Sequence, residues 1–409
     1  MAVVITVAVT ATRLKPMKRH NDLSIRNFAQ IAQADIAFGD LTVLVGAQGT
    51  GKSIALQWLK VAMDGRQVVE ALQAAGHPTD KANVLIDLVF GTGMGAGWRP
   101  EETEVSFNSK KVSLKTLGRI GDGAERVFYV PAHRSMLISD GWASPFQRLT
   151  SDTPVVARIF SQNLFDRFSA KGEGPLFPLQ RVLKKEYRDQ IDAAVFHGGK
   201  VAIEEDRQHA KRLRLAHGSM HLPFMTWTAG QREFTPLLLG LYHLLPPRKL
   251  LKQPDIDWVV LEEPEMGLHP QAVTVVMLLV LDLLWRGYKV ALSTHSPHVL
   301  TTLWMMRRLK EFGARWQLVC DAFGVSASQT MQRVAEAALT KDYRVHLLAF
   351  GKDGLVRSTD ISSLDPDAPD ERVAGWGGLT EFSSRFGASV RDAVNESEGH
   401  VGRGIRLRG

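Results

Sequence analysis

Residues 46–53 have the composition and spacing of a phosphate-binding loop. The loop consists of Gly46, Ala47, Gln48, Gly49, Thr50, Gly51, Lys52 and Ser53, an uninterrupted match to G-x-x-x-x-G-K-[ST]. Its glycines let consecutive backbone N–H groups turn inward around phosphate oxygens, while Lys52 can reach the outer phosphates and Ser53 can ligate Mg²⁺. The alternative is a glycine turn with an incidental lysine, but the apolar run 41–45 in front of the loop favours nucleotide binding.

Two carboxylates, Glu262 and Glu263, end the apolar run 258–261. Adjacent residues of a strand point to opposite sides, so the two acids can have different roles. Glu262 would hold the Mg²⁺ shell, usually through water, and Glu263 would orient or deprotonate an attacking water. Alone, such a pair would more often be a solvated turn after a strand. The phosphate loop upstream favours the catalytic interpretation.

Two further segments are candidates for binding phosphate. His295 follows the apolar run 290–292, and an imidazole at the carboxyl edge of a parallel sheet can reach a γ-phosphate. The second segment, Thr228, Ala229, Gly230 and Gln231, precedes an apolar helix, where a hydroxyl and small residues form an anion seat. A structural histidine and an ordinary capped helix are the respective alternatives.

The order of these four pieces resembles that of the ABC-type ATPases. The form EEPE-x-x-LHP followed by THSP is similar to the soluble branch that includes RecF, the structural-maintenance-of-chromosomes proteins, the OLD-family proteins and the ATPases of bacterial anti-phage systems. The resemblance covers residues 23 to about 303. It implies a head-to-tail dimer enclosing two ATP molecules. In that dimer Lys52 of one subunit and the signature residues of the other, 228–231, share a γ-phosphate. Glu263 would be the catalytic carboxylate and His295 the switch histidine.

The sequence departs from the family pattern at several positions. Glu262 stands where the family commonly has Asp, Thr228 where it has Ser, and Ala229 at a position that is often Ser or Gly. No clear glutamine loop follows the apolar run 127–130. Arg134 lies there instead, as either a nucleotide contact or a salt-bridged loop cation. An aromatic side chain, Phe28, is a candidate for adenine contact, although an aromatic beside a strand is more often core.

The predicted fold class is α/β, a P-loop ABC-ATPase head whose mixed sheet has flanking helices. The expected regions are an N-terminal extension (1–22), an ATPase lobe with the phosphate loop (23–145), an inserted helical lobe with a β meander (146–227), the ATPase core with signature, carboxylates and histidine (228–303), and a C-terminal α+β extension (304–409). The run 83–90 reads as a strand, and Asp353-Gly354 between apolar segments predicts a hairpin.

Composition limits the class of protein. A hydrophobic fraction of 44% in 409 residues excludes disorder for most of the chain, and the single cysteine, Cys320, excludes a disulfide framework and fits a cytoplasmic location. The apolar stretch 2–12 is too short to span a bilayer and is followed, not preceded, by basic residues, so we expect neither a signal peptide nor a membrane partner. Translation could start at Met1 or at Met17.

A net charge of +7 suits phosphate backbones, but acids are interleaved with the basic clusters near 184–188 and 211–214, so DNA or RNA binding stays open. We expect an ATP-driven dimerising switch that serves as the sensor ATPase of a bacterial anti-phage system and controls a separate effector. A RecF-like repair ATPase and a non-catalytic, ATP-locked scaffold are the alternatives. The acidic loop 362–371 contains two prolines and reads as a solvated turn, not as a nuclease centre.

Overall fold

The computed structural model describes residues 21–180, 182–206, 209–246, 251–380 and 385–394. The segment 1–20, with the choice between Met1 and Met17, lies outside these residues. The strands are β1 Asp22–Phe28, β2 Ile31–Ala37, β3 Leu41–Val45, β4 Glu104–Phe107, β5 Lys110–Lys111, β6 Val127–Val130, β7 Ile138–Ser139, β8 Trp142–Ala143, β9 Gly174–Phe177, β10 Lys200–Glu205, β11 Lys211–His217, β12 Met220–Pro223, β13 Trp258–Glu262, β14 Lys289–Ser293, β15 Tyr343–Phe350 and β16 Val356–Asp360. The main helices are α1 Lys52–Ala74, α2 Ala82–Phe90, α3 Val155–Ala170, α4 Lys185–Ile191, α5 Ala229–Leu244, α6 Pro270–Trp285, α7 Pro297–Glu311, α8 Gln317–Ala322, α9 Gln329–Thr340 and α10 Glu371–Ala374.

A ten-stranded mixed sheet forms the centre of the fold, in the order β5-β4-β1-β2-β16-β15-β3-β14-β13-β6. The neighbours β15, β3, β14, β13 and β6 run parallel, so their carboxyl ends meet at one edge. All five residues of β3 are buried, as its uninterrupted apolar run requires. The loops that follow β3, β13 and β14 therefore bring their residues to one place.

Hydrophobic clusters cover both faces of this sheet. One cluster contains much of α1 and α2, and the other contains α5, α6 and α9. The stretch 273–285 forms most of α6 and is buried for most of its length. Among the described residues, every helix is too short or too polar to traverse a bilayer. The predicted α/β class, with a mixed sheet and flanking helices, is confirmed.

The run 83–90 was predicted to be a strand, and that prediction is wrong. It forms α2, whose buried residues include Ile86 and Phe90. A short, continuous apolar run fits a buried strand and a buried helix equally well, so periodicity could not decide. Tertiary packing does decide, because Phe90 lies 4.9 Å from Trp58 of α1 and 5.2 Å from Phe28 of β1, centroid to centroid.

Residues beyond 303 contribute to the central sheet. β15 pairs in parallel with β3, and β16 returns antiparallel to β15 through the turn at Asp353-Gly354, which confirms the predicted hairpin. The region 146–227 contains α3, β9 and α4 before the meander β10 to β12, and β9 joins that meander as a fourth strand. The strand that carries the phosphate loop is thus flanked by β14 on one side and by the C-terminal β15 on the other.

A buried ion network ties α1 to the sheet. The Lys60 ammonium donates to Asp64 Oδ2 at 2.8 Å, to Glu125 Oε1 at 3.0 Å and to the Val127 carbonyl at 2.7 Å. Burial acts to lower the pKa of Lys60, but the two carboxylates outweigh burial and raise it. Asp64, where α1 is kinked, also accepts from the backbone N–H of Val127 at 2.9 Å. The start of β6 is therefore fixed against the helix that follows the phosphate loop.

Candidate nucleotide site

The phosphate loop leaves β3 with a backbone that only glycine allows. Gly46 has φ 144°, and a Cβ at this position would lie 2.1 Å from the carbonyl oxygen of Leu348 on β15. Gly51 has φ 85° and precedes α1 directly, so the first turn of that helix points its N–H groups into the loop. This is the order of strand, glycine turn and helix start that a phosphate-binding loop requires.

Lys52 is folded back over the loop. Its ammonium donates to the carbonyl oxygens of Gly46 at 2.9 Å and of Ala47 at 3.0 Å, and only 5% of the residue is exposed. Burial lowers its pKa, while the negative charges of Glu263 and Glu265 act in the opposite direction. The ammonium is thus held at the centre of the loop, beside the carboxylates that end β13.

Glu262 has the features of a cation ligand. It is 5% exposed, its Oε2 accepts from the Ala132 N–H at 3.1 Å, and its buried Oε1 has no hydrogen-bond partner among the described residues. Burial raises its pKa, and the neighbouring hydroxyls of Tyr129 and Ser53 oppose that rise. An unpartnered, buried carboxylate oxygen next to Ser53 is costly without a cation or water, so these residues fit Mg²⁺.

Glu263 and His295 face each other across the ends of β13 and β14. Glu263 Oε1 lies 3.4 Å from His295 Nε2, and both side chains are about 30% exposed. Glu263 has φ 39°, and its N–H donates to the Ser293 carbonyl at 3.0 Å. A left-handed non-glycine residue is strained by about 1–3 kcal/mol, a feature that concentrates at functional sites. The arrangement leaves a carboxylate open to water beside the phosphate loop.

Glu265 holds this histidine in place, and sequence reasoning gave it no role. Its Oε1 accepts from the Thr294 hydroxyl at 2.6 Å and from the His295 backbone N–H at 2.7 Å. The loop after β13 is thereby clamped to the loop after β14. The motif EEPE contains Glu265, but its acids alone do not reveal that the last one binds a loop about 30 residues away.

Arg134 supports the carboxylate turn, which comprises residues 262–264. It is fully buried, and burial lowers its pKa. Its guanidinium donates to five carbonyl oxygens, those of Ala132, Glu233, Glu262, Glu263 and Pro264, at 2.9–3.4 Å. These hydrogen bonds support a structural role for Arg134 and not the nucleotide contact that was the other role considered. Arg134 instead joins the carboxylate turn to the helix α5.

The signature residues lie at the start of α5. Thr228 caps the helix and exchanges two hydrogen bonds with Gln231, each of 3.2 Å, in a capping box. Thr228 and Ala229 are exposed, and a Cβ at Gly230 would lie 3.2 Å from the Gly267 carbonyl. Within the described residues, no hydrogen bond or ion pair joins 228–231 to the phosphate loop. The predicted site residues therefore form two groups, one at the sheet edge and one on this exposed helix end.

Phe28 does not contact the nucleotide site. It is fully buried and packs edge-on against Trp58 of α1 at 5.3 Å. Phe28 is therefore a core residue, and it is not the aromatic neighbour of adenine that was its other predicted role.

One family model matches part of the chain. Residues 222–301 match the family described as "AAA domain, putative AbiEii toxin, Type IV TA system". This stretch contains the signature residues, both carboxylates of β13 and His295. The match supports the predicted resemblance to this class of P-loop ATPase for residues 222–301. No curated protein matches the chain.

Solved structures that resemble the chain include heads of structural-maintenance-of-chromosomes proteins. One is described as the SmcHead bound to the C-winged helix domain of ScpA (11% identity, 83% of this chain, 97% of that chain, TM-score 0.38). Another is an SMC head domain from Thermotoga maritima (14% identity, 83% of this chain, 98% of that chain, TM-score 0.35). A third is described as an Smc head domain with an extended coiled coil, bound to the C-terminal domain of ScpA and derived from Pyrococcus furiosus (11% identity, 83% of this chain, 96% of that chain, TM-score 0.35).

Proposed function

We propose that the chain is an ABC-type P-loop ATPase that binds ATP with Mg²⁺ at the loop 46–53 and hydrolyses it with Glu263 as the catalytic carboxylate. The observation that supports this most is the Glu263–His295 pair, 3.4 Å apart and open to solvent, next to Lys52. A general base must reach water, and a histidine beside it can contact the γ-phosphate.

Each residue at this edge has one task in the proposal. Bound Mg²⁺ would neutralise charge on the β- and γ-phosphates. Ser53 and the unpartnered oxygen of Glu262 would hold the cation, and Lys52 would exchange its two loop carbonyls for phosphate oxygens. Glu263 would take the proton of the attacking water, and Glu265 would keep His295 oriented toward the phosphate.

Steady-state ATP hydrolysis by the purified chain tests this assignment. Lys52→Ala should lose ATP binding, whereas Glu263→Gln should bind ATP and lose turnover by at least about a hundredfold, the usual contribution of a general base. Glu336→Gln, which changes an exposed glutamate on α9 in the same way, should leave turnover unaltered. Normal turnover by Glu263→Gln would contradict the role of Glu263.

The active form in this proposal is a head-to-tail homodimer or a higher oligomer built on such pairs. Thr228 and Gly230 lie on an exposed helix end without a bond to their own phosphate loop, which supports a role in a second subunit's site. The positive end of α5 would then face the γ-phosphate. Chromatography with ATP and Mg²⁺ should show dimers for Glu263→Gln, and monomers for the same variant carrying Gly230→Asp.

The role in the cell is proposed as that of a cytoplasmic sensor ATPase in an anti-phage defence system, acting on a separate effector protein. The matched family is described as a putative toxin of a Type IV TA system, which supports a module of more than one protein. The acids of the loop after β16 are engaged locally, since Asp365 accepts from the Asp367 N–H at 3.1 Å. Purified chain should therefore leave plasmid DNA intact with Mg²⁺ and ATP.

Measurements of ATP turnover distinguish two alternative functions from this proposal. A RecF-like repair ATPase would show turnover that rises with added DNA. DNA or RNA binding is open because Glu204 and Glu205 of β10 lie opposite the basic residues Arg212 and Lys211 of β11. A non-catalytic scaffold would dimerise with ATP but turn it over no faster than Glu263→Gln. The exposed pairing of Glu263 with His295 favours the catalytic form.

A further inference from the structure

A crevice of about 750 Å³ opens beside the phosphate loop. Ala47 of that loop forms one wall, and residues of the segment 366–380 form another. Between them lies the face of β15 that carries Leu347 and Ala349, because a Cβ on Gly377 would lie 2.8 Å from Leu347 Cδ1 and alternate residues of a strand share a face. The floor of the crevice is therefore apolar, and one end of it is the phosphate loop itself.

An acidic segment borders this crevice. Residues 365–372 contain four acids and one cation: Asp365, Asp367, Asp370, Glu371 and Arg372. Arg372 pairs with Asp370 at 2.7 Å. Glu371 lines the crevice and is exposed, and within the described part of the chain its carboxylate makes no ion pair. A negative charge is thus left open at the edge of an apolar space.

The turn 223–227, which we call the Met225 turn, carries an exposed apolar side chain. Met225 has 61% of its surface exposed. The turn beneath it is ordered, because Phe224 is buried against Trp227 with ring centroids 5.0 Å apart, and the Trp227 indole donates to the Leu222 carbonyl at 3.0 Å. A side chain held on such a turn loses little conformational freedom on binding, so Met225 is suited to a docking contact.

A cation lies beside Met225. Arg214 of β11 pairs in register with Pro223 and lines one small cleft together with Met225. It alternates with the buried Leu213 and Leu215, so its side chain points away from the core. Among the residues that the structure describes, Arg214 has no ion-pair partner. This surface therefore presents an apolar side chain next to an unpaired positive charge, the complement of the crevice and its acidic border.

We infer that the Met225 turn of a second copy of the chain docks in this crevice, with Arg214 of that copy facing Glu371. The inference rests on the proposed function, since the head-to-tail dimer would bring 228–231 of one copy to the phosphate loop of the other. The crevice begins at that loop, and the Met225 turn directly precedes 228–231, so one approach brings both pairs of surfaces together. The distinct content is that the segment 365–380 holds the dimer, twice in each two-fold pair.

Dimerisation of the Glu263→Gln variant with ATP and Mg²⁺, followed by analytical ultracentrifugation, tests the charged contact. In that background, Glu371→Arg and Arg214→Glu should each raise the dimer dissociation constant about tenfold, because each change brings like charges together at both contacts. A chain that carries both changes should return to within about twofold of the starting value. Arg333→Glu is the matched control, since Arg333 is an exposed cation on α9, and it should leave the constant unaltered.

Cross-linking tests the apolar contact. Met225→Cys and Ala374→Cys are placed in separate Glu263→Gln chains, and the native Cys320 is buried. Mixed with ATP, Mg²⁺ and a copper–phenanthroline oxidant, the two chains should form a disulfide with each other. Met220→Cys should not join Ala374→Cys, although Met220, on β12, is also an exposed methionine.

The outcomes separate this contact from the proposed function. A Glu263→Gln variant that stays monomeric with ATP would remove the proposed dimer and this contact with it. Normal dimers in both charge variants, or a disulfide formed as readily by Met220→Cys as by Met225→Cys, would remove only the contact.

Discussion

Replacing Arg134 by Met should destabilise the protein and misplace its carboxylate turn. The guanidinium is fully buried and satisfies five carbonyl oxygens, and three of these belong to the consecutive residues 262–264. Methionine has a similar length but no donor, so the carbonyls would lose their partners inside the core.

The expected cost is about 3–5 kcal/mol of the free energy of unfolding. The summed free energies of five hydrogen bonds to a charged donor would be larger. However, removing the guanidinium also removes the free-energy cost of burying its charge, and that cost is evident because burial lowers the pKa of Arg134. Measured losses for breaking buried charged networks support the lower figure of about 3–5 kcal/mol.

Urea unfolding followed by tryptophan fluorescence measures this cost. Arg66→Met is the control, because Arg66 is exposed and makes one surface pair with Glu70 at 2.8 Å, so its midpoint should stay unchanged. In Arg134→Met, turnover should fall more than ATP affinity, since Lys52 makes none of the lost bonds. A loss of less than about 1 kcal/mol, with normal turnover, would refute the support assigned to Arg134.

Two further predictions concern buried charge. Lys60→Met should cost about 3–5 kcal/mol of unfolding free energy in urea, because it leaves Asp64 buried and charged beside the kink of α1, whereas Lys352→Met on an exposed turn should not shift the midpoint. Burial lowers the pKa of His243 to about 4. The unfolded chain, with an ordinary histidine pKa near 6.5, therefore binds more protons between these values, so stability should fall as pH drops from about 6.5 to 4, by roughly 1–2 kcal/mol after solvent screening. His243→Gln should flatten that part of the pH profile, and an unchanged slope would contradict the buried, neutral state.

The phosphate loop could be predicted because its chemistry is local. The octet 46–53 fixes both the backbone conformation and the charged group, and α1 begins within it, at Lys52. Strands β13 and β14 followed from apolar runs that end in polar residues. These predictions needed no knowledge of what lies beside the segment.

The rest depends on contacts between distant parts of the chain. Arg134 binds carbonyls 128–130 residues away, and β15 pairs with β3 by placing Tyr343 beside Leu41. No local pattern specifies such partners. The helix α2 was misread for a related reason, since its apolar run suits either structure until the aromatic residues of β1 and α1 are beside it.

Subunit mixing tests whether two copies of the chain build each ATP site. Lys52→Ala removes the phosphate contact, and Gly230→Asp places a charge and bulk on the signature turn. Each variant alone should be inactive, provided that Gly230→Asp unfolds at the wild-type urea midpoint. In a mixed dimer, however, one site combines an intact Lys52 with an intact 228–231.

At saturating protein concentration, an equal mixture should therefore reach about half of wild-type ATP turnover, because neither variant forms an ATP dimer with itself and each mixed dimer has one complete site of two. Turnover should rise with total protein concentration as dimers form. Recovery no greater than the sum of the separate variants would contradict a site shared between subunits. It would leave an ATPase that works within a single chain.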